Sequence, residues 1–367
     1  MKQNLFCVII VLLLTFSCKR DDDATDAQKK LLAGDWQRLE VQDKLENGEV
    51  NVMIPSLLTP GYGFDVKGNF EYKTGFYKGE HFKYIGSFSH YKIEDDSLKL
   101  FYIGDNRYVN ARISKLTKDT LVLNYQKYNS YYIKKKYDTL NIPNFQQLII
   151  SGGMYGSGSS NVFIKEDGTV IYDKREWTDT ILNQNRYKAT ISKKELATIQ
   201  TRFKKADWPN LKKTYGYPAD DVENYQVTII KDNRILKSVY IAGVDQPAVL
   251  SWAYIPTSNI PNMIRGEIVP KSVIDIENFV LKNSGHSLAL TNSERYFLSY
   301  QLSNARVVTT SFLELYNLEN NDTSVSKITS DGRYYKFYFK DKTTKTVDIG
   351  YNFLTESNLV NTFVKHE

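Results

Sequence analysis

Few residues in this chain have both the type and the spacing to do chemistry. The only cysteines are Cys7 and Cys18, and the only histidines are His81, His90, His286 and His366. No histidine pair has the spacing of a zinc-protease helix, and no serine stands in a Gly-x-Ser-x-Gly elbow. The glycine-rich stretch Ser151–Ser160 would offer bare amides to a phosphate at a helix start. No Gly-Lys-Ser/Thr follows it, however, and the next element has the pattern of a strand. Carboxylates are plentiful, and glycan hydrolysis needs only two at the right separation. Asp95-Asp96 and Asp220-Asp221 stand out as adjacent pairs within the folded part of the chain, and both have the setting of turn aspartates that accept from local backbone amides. The sequence therefore singles out no catalytic residue, no cofactor-binding residue and no metal ligand.

Cys18 does have a chemical context. Lys2 gives a positive start, Leu5 to Phe16 form an apolar run, and the small residue Ser17 precedes Cys18. These are the three zones of a secretory signal. The run is shorter than the ~20 residues that span a bilayer as a helix. Leu14-Thr15-Phe16-Ser17-Cys18 resembles the bacterial lipobox, with Phe16 where the motif prefers a small residue. The resemblance implies cleavage between Ser17 and Cys18, lipid attachment on Cys18, and the membrane as a partner through that lipid. Each buried methylene contributes roughly 0.8 kcal/mol, so two acyl chains hold a protein stably. Cys18 is then the sole thiol of the mature chain, which excludes a disulfide framework, a catalytic cysteine and Cys-ligated zinc. Lys19-Arg20-Asp21-Asp22-Asp23 resembles the export signal of Bacteroidota surface lipoproteins. That likeness implies the outer membrane and its outer face.

Composition bounds the rest. Hydrophobic residues at 41% and charged residues at 25% fit a chain with real cores rather than a disordered one. The net charge of +6 arises from 48 basic and 42 acidic residues that are interleaved. There is no basic stripe of the kind nucleic acid requires. The abundance of tyrosine (27) and phenylalanine (18) favours strands. Exposed tyrosines would also suit a sugar- or peptide-binding face.

The elements follow at short intervals. Ala27 to Leu32 can form a short helix leading into Gly34-Asp35-Trp36. Hairpins are expected at Lys67-Gly68, between Phe88–Ile93 and Ser97–Ile103 around Asp95-Asp96, and between Ala111–Leu116 and Thr120–Tyr125 around Lys118-Asp119. This spacing implies a small antiparallel barrel or sandwich. Gly34-Asp35-Trp36, Asp95-Asp96-Ser97-Leu98-Lys99-Leu100 and Leu116 to Leu123 resemble the lipocalin-like domain of Bacteroidota lipoproteins, in which the tryptophan closes one end of the barrel. Such a barrel with an open mouth can hold a small apolar ligand.

Residues 128–146 have the composition of a connection. Beyond them, Val162–Ile164 and Thr169–Tyr172 pair across Asp167-Gly168, and Ser192-Lys193-Lys194-Glu195 has capping-box spacing for a helix to about Lys205. A hairpin turns at Asp232-Asn233, a helix follows Pro247, and Val273 to Lys282 forms a third. This order resembles a domain of unknown function common in the same lipoproteins, whose Cys-x-Gly-x-Cys-Pro motif is replaced here by Met154, Gly156, Gly158 and Ser159. A further hairpin turns at Asp341-Lys342 and loosely echoes the one at Asp232-Asn233.

The expected architecture is β-rich α+β. It comprises a signal peptide (1–17), a lipidated tether (18–29), a lipocalin-like domain (30–127), a linker (128–146), a mixed strand and helix domain (147–283) and a β-rich C-terminal segment (284–367). The expected function is a non-enzymatic binding or assembly module for a small molecule, glycan or protein. The alternative is a carboxylate-dependent hydrolase of an envelope polymer. Cys18→Ala is expected to move the protein out of the membrane fraction, and protease added to intact cells should remove the wild type; a membrane-bound variant or full protection would contradict these expectations.

Overall fold

The computed structural model describes residues 25–44, 50–53, 60–79, 83–126, 128–153, 160–178, 181–217, 224–243, 245–270, 280–319 and 324–365. Ser17, Cys18, His81, Met154 to Ser159, Asp220, Asp221 and His366 lie outside them. The fold is β-rich α+β, and the chain divides into two compact units, one ending at Asp138 and the other beginning at Thr139.

The first unit is an eight-stranded antiparallel up-and-down barrel with one extra strand. Its strands are β1 (Gly34–Lys44), β2 (Val50–Met53), β3 (Gly61–Phe64), β4 (Asn69–Lys78), β5 (Lys83–Glu94), β6 (Ser97–Tyr102), β7 (Arg107–Leu116), β8 (Thr120–Tyr125) and β9 (Tyr128–Lys134). β3 to β8 each pair with the next, β1 pairs with β3 and β9 to close the ring, and β2 adds to β1 at Val41–Lys44. Alternation places Trp36, Phe64, Phe70, Leu98, Leu100, Leu121 and Leu123 in one buried core. Asp95, in the turn between β5 and β6, takes the left-handed conformation that aspartate tolerates, with φ 54°.

Helix α1, residues 25–32, plugs one end of the barrel. The Trp36 indole is fully buried and donates to Leu32 O at 2.6 Å. Lys134 Nζ donates to Leu31 O and Ala33 O, at 2.5 and 2.6 Å, and sits 4.8 Å from the Trp36 ring centroid. A cation there satisfies carbonyls that a helix C-terminus leaves without partners. Trp36 is thus a core residue closing the barrel, as its motif implied.

Residues 128–146 differ from the connection expected. Ser130 and Tyr132 are buried with their neighbours less so, which makes β9 the closing strand. Further on, the Gln200 amide brackets Phe145, accepting from its N–H at 3.1 Å and donating to its carbonyl at 2.8 Å, and Trp208 Nε1 donates to Pro143 O at 3.1 Å. Tyrosine and lysine on both faces of β9 hide its period in the sequence.

The second unit holds two mixed layers. One sheet runs β14 (Thr214–Tyr215), β16 (Arg234–Ala242), β15 (Asn224–Lys231), β10 (Gln147–Gly153), β11 (Ser160–Lys165), β12 (Thr169–Thr178), β13 (Ile181–Thr190), β17 (Glu267–Val269). Helix α2 (Lys193–Lys205) has the full capping box expected, with Ser192 and Glu195 each bonding the other's backbone N–H. Helix α3 (Ala248–Ser258) is buried along nearly its whole length.

Strands β10 and β15 are covered on both faces, which explains their unbroken apolar runs. Tyr225 packs against Tyr254 of α3 at 4.6 Å on one face. On the other, Thr228 Oγ1 meets Ser293 Oγ at 2.7 Å, and Ile149, Phe163 and Ile230 join the core of α4 (Asn292–Ser303). That core continues into a second sheet of order β20 (Arg306–Val308), β24 (Thr344–Asp348), β23 (Tyr334–Phe339), β22 (Val325–Ser330), β21 (Tyr316–Glu319), β18 (Val280–Asn283), β19 (His286–Ala289), β25 (Val364–Lys365). Short helix α5 (Phe353–Glu356) closes it.

The third helix expected over Val273 to Lys282 is corrected at its described end. Val280 to Asn283 form β18, which turns through Ser284 and Gly285 (φ 36° and 83°) into β19. Two positive φ values match the two-residue turn that suits a twisted hairpin. The third long helix is α4 instead, with a capping box of Thr291 and Glu294. Phe297 is fully buried at the centre of the shared core. Phe297→Ala is expected to cost about 3–5 kcal/mol and to lower the denaturation midpoint of both sheets together, as read by urea unfolding; loss confined to the C-terminal sheet would contradict a common core.

Candidate functional site

The barrel interior has two chemically different halves. Toward α1 it is apolar, built from Trp36, Phe64, Phe70 and the leucines of β6 and β8. Beside it β3, β4, β6, β8 and β9 contribute Tyr62, Tyr72, Tyr102, Tyr125 and Tyr132, with Tyr62 the cross-strand partner of Trp36. Their rings pack at 5.6 Å for Tyr62 with Tyr72, 5.6 Å for Tyr62 with Tyr132 and 6.0 Å for Tyr72 with Tyr102. The hydroxyls of Tyr62 and Tyr102 are 2.9 Å apart.

Burial pushes the Tyr132 phenol up to about 12 against the pull of Arg38. Tyr62, Tyr102 and Tyr125 are pushed higher still by burial and by the phenols beside them. All four are therefore protonated and able to donate at neutral pH. Tyr102 and Tyr125 are walled in by protein, yet each keeps partial access to solvent.

Arg38 stands in this half. It lies two residues beyond Trp36 on β1 and pairs across the closing ladder with Tyr132. A β-bulge between Arg38 and Glu40 follows immediately and changes the side of the wall that later residues face. Arg38 Nε is buried without a hydrogen-bond partner.

A second cluster occupies the outer wall. Lys73 Nζ lies 2.7 Å from Asp35 Oδ1 and 2.5 Å from Glu71 Oε2, with all three side chains nearly buried. Burial, with the Asp35 charge nearby, drives the Tyr137 phenol far up. Burial alone pulls the Lys73 ammonium down, but Glu71 and Asp35 outweigh it and hold it above the usual lysine value. Gly63 of β3 makes room for the contact. A Cβ there would come 2.7 Å from Asp35 Oδ1 and 2.8 Å from Lys73 Nζ. These two carboxylates share a cation and do not face each other across an open cleft.

The comparisons with known proteins address both units. Residues 155–261 match a domain of unknown function, DUF6438. The DUF6438 span carries α2, the β15–β16 hairpin and α3, within the region whose element order resembled a domain of unknown function. No curated protein matches the chain. A crystal structure of an uncharacterized protein from Bacteroides eggerthii DSM 20697 is similar over 28% of this chain and 99% of its own, at 20% identity and a TM-score of 0.21. One of a lipocalin-like protein from Bacteroides uniformis ATCC 8492 is similar over 29% and 99%, at 17% identity and a TM-score of 0.21.

Among the described residues no group of three or more His, Cys, Asp or Glu could hold a metal ion. In the DUF6438 span the buried charged pair is structural in geometry: Arg186 Nε and Nη2 meet Asp173 Oδ1 and Oδ2 at 2.7 and 3.1 Å. Asp96 is an exposed turn residue bonded to Arg112 at 2.5 Å. The exposed His90 stacks on Phe101 at 4.6 Å and shares a 2.9 Å hydrogen bond with Tyr108, while His286 is an exposed residue of β19. No motif in the sequence marks Arg38 or the five converging tyrosines. Their signal was the alternation of tyrosine with apolar residues on β3, β4, β8 and β9.

Removing Lys73 would leave two nearly buried carboxylates without their cation. Lys73→Met is expected to cost about 3–5 kcal/mol at neutral pH. In the wild type the raised Lys73 contributes fully below about pH 10, and that contribution is lost as pH rises through its folded value. In the variant the stranded carboxylates titrate upward, so stability should recover below about pH 4. Thermal melts across pH check this; a variant with the wild-type profile would contradict the ion cluster.

Proposed function

We propose that this chain is an envelope lipoprotein, anchored through lipid on Cys18, whose barrel is a binding module for a small molecule. The observation that carries the reading is the cluster of five tyrosines converging in the barrel interior, of which Tyr72, Tyr102 and Tyr125 are only partly buried. One end is sealed by Trp36 and Lys134, so a ligand would enter from the end where Tyr102 and Tyr125 retain solvent access. Aromatic walls with a few converging polar groups are the usual makings of a small-molecule site. The second unit, with helices and sheets locked into continuous cores, serves as a non-enzymatic partner module on the outer membrane. Among the described residues no helix is long and apolar enough to cross a membrane, and attachment by lipid fits that.

The test uses the soluble chain from Asp21 onward and a small-molecule library screened by protein-observed NMR. Hits are expected to shift resonances of Tyr62, Tyr102 and Tyr132 and to leave the second unit unchanged. Hits that map only to the second unit, or a library without hits, would overturn the reading.

A further inference from the structure

The interleaving of charges along the chain breaks down in one stretch. Residues 193–213 hold seven basic residues and only two acidic ones, Glu195 and Asp207. Both acids serve local turns. Glu195 Oε2 accepts from Ser192 N and Oγ at 2.8 and 2.7 Å, and Asp207 accepts from Asn210 Nδ2 at 3.0 Å. α2 buries Ile199, Gln200 and Phe203, while its exposed side carries Lys193, Lys194, Ala197 and Thr201, with Lys204 partly exposed in the last turn. Lys193 and Lys194 stand in the first turn, where the helix dipole disfavours a cation. The pair therefore works against the helix that it starts.

The basic surface continues past the helix. Lys213 O accepts from Tyr240 N of β16 at 2.8 Å, and Lys237 on the same strand donates to Pro209 O at 3.3 Å. Burial and then the Lys213 charge hold the Lys237 ammonium below the usual lysine value, so the two cations crowd one neighbourhood. Lys193, Lys194, Lys204, Lys212, Lys213 and Lys237 form no ion pair among the described residues.

We propose that this basic surface docks an anionic polysaccharide, a chain of sugars bearing carboxylates, laid along α2 and past Lys212 and Lys213. Lys193 and Lys204 lie about 16 Å apart along the helix axis. No single small anion engages both ends, whereas a polymer with repeated charges does. Lysines, as mobile point charges, suit carboxylates spaced loosely along such a chain. No large apolar side chain of α2 is exposed, so nothing on it inserts into lipid, and no exposed ring on it stacks a nucleic-acid base. The inference concerns the second unit and is independent of what the barrel binds.

Calorimetric titration of the soluble chain with polygalacturonate at low salt tests it. Polygalacturonate is expected to bind and neutral dextran is not, with affinity falling as salt rises. Exchanging Lys193, Lys194, Lys204 and Lys212 together for Gln should weaken binding at least about tenfold. The same exchange at Lys67, Lys78, Lys115 and Lys118, exposed on the barrel, removes equal charge and should change it little. Lys194→Glu should raise the melting temperature while weakening binding, because an acid suits the first turn; a merely structural lysine would not separate the two readouts. Equal loss in the two fourfold variants reports net charge alone and overturns the docking surface. Phosphatidylglycerol vesicles or duplex DNA bound more tightly than polygalacturonate, or no binding at low salt, overturns the polysaccharide.

Discussion

Strand β1 pairs with β3 over Gly34–Gln37 and with β9 from Trp36 to Asp43, so one strand carries the closure of the whole barrel. Because side chains alternate along it, the same strand turns Trp36 and Arg38 inward and Asp35 outward. The tryptophan seals one end with Leu32 and Lys134. The arginine sits one inward step further along, among phenols. The aspartate anchors Lys73 across Gly63 on the outer wall. A one-residue slip in the β1–β9 register would exchange these positions and bury the wrong charge, so the ladder fixes both stability and the polarity of the interior.

The second unit solves a different problem. Its central strands are apolar on both faces and need cover on each side. α3 supplies one cover and α4 the other, with the small hydroxyls of Thr228 and Ser293 allowing a close approach of helix to sheet. The far side of α4 is then covered by the C-terminal sheet through Phe297, Leu298 and Leu302. Those residues bind the DUF6438 span and the C-terminal strands into one continuous core, although the matched span ends before α4 begins.

Local signals were legible in the sequence. The hairpins at Asp95-Asp96, Asp167-Gly168, Asp232-Asn233 and Asp341-Lys342 follow from turn chemistry, and α2 follows from its capping box. α4 carries the same cap signature at Thr291 and Glu294. Its helical period is hidden because it is buried between two sheets and lacks a single apolar stripe. β9 was obscured by tyrosine on both of its faces, Tyr131 partly exposed and Tyr132 buried. The candidate site was least legible, since Arg38, Tyr62, Tyr102 and Tyr132 are far apart in the chain and meet only through strand register. No short motif encodes that convergence.

The central claim is that strand β1 carries the Arg38 Nε into the barrel beside Tyr132 without a protein hydrogen-bond partner. The Arg38 Nε–H resonance of the soluble chain, observed by NMR, tests it most directly. The account predicts a signal without a through-hydrogen-bond coupling to any protein acceptor. A coupling to a protein oxygen would contradict it.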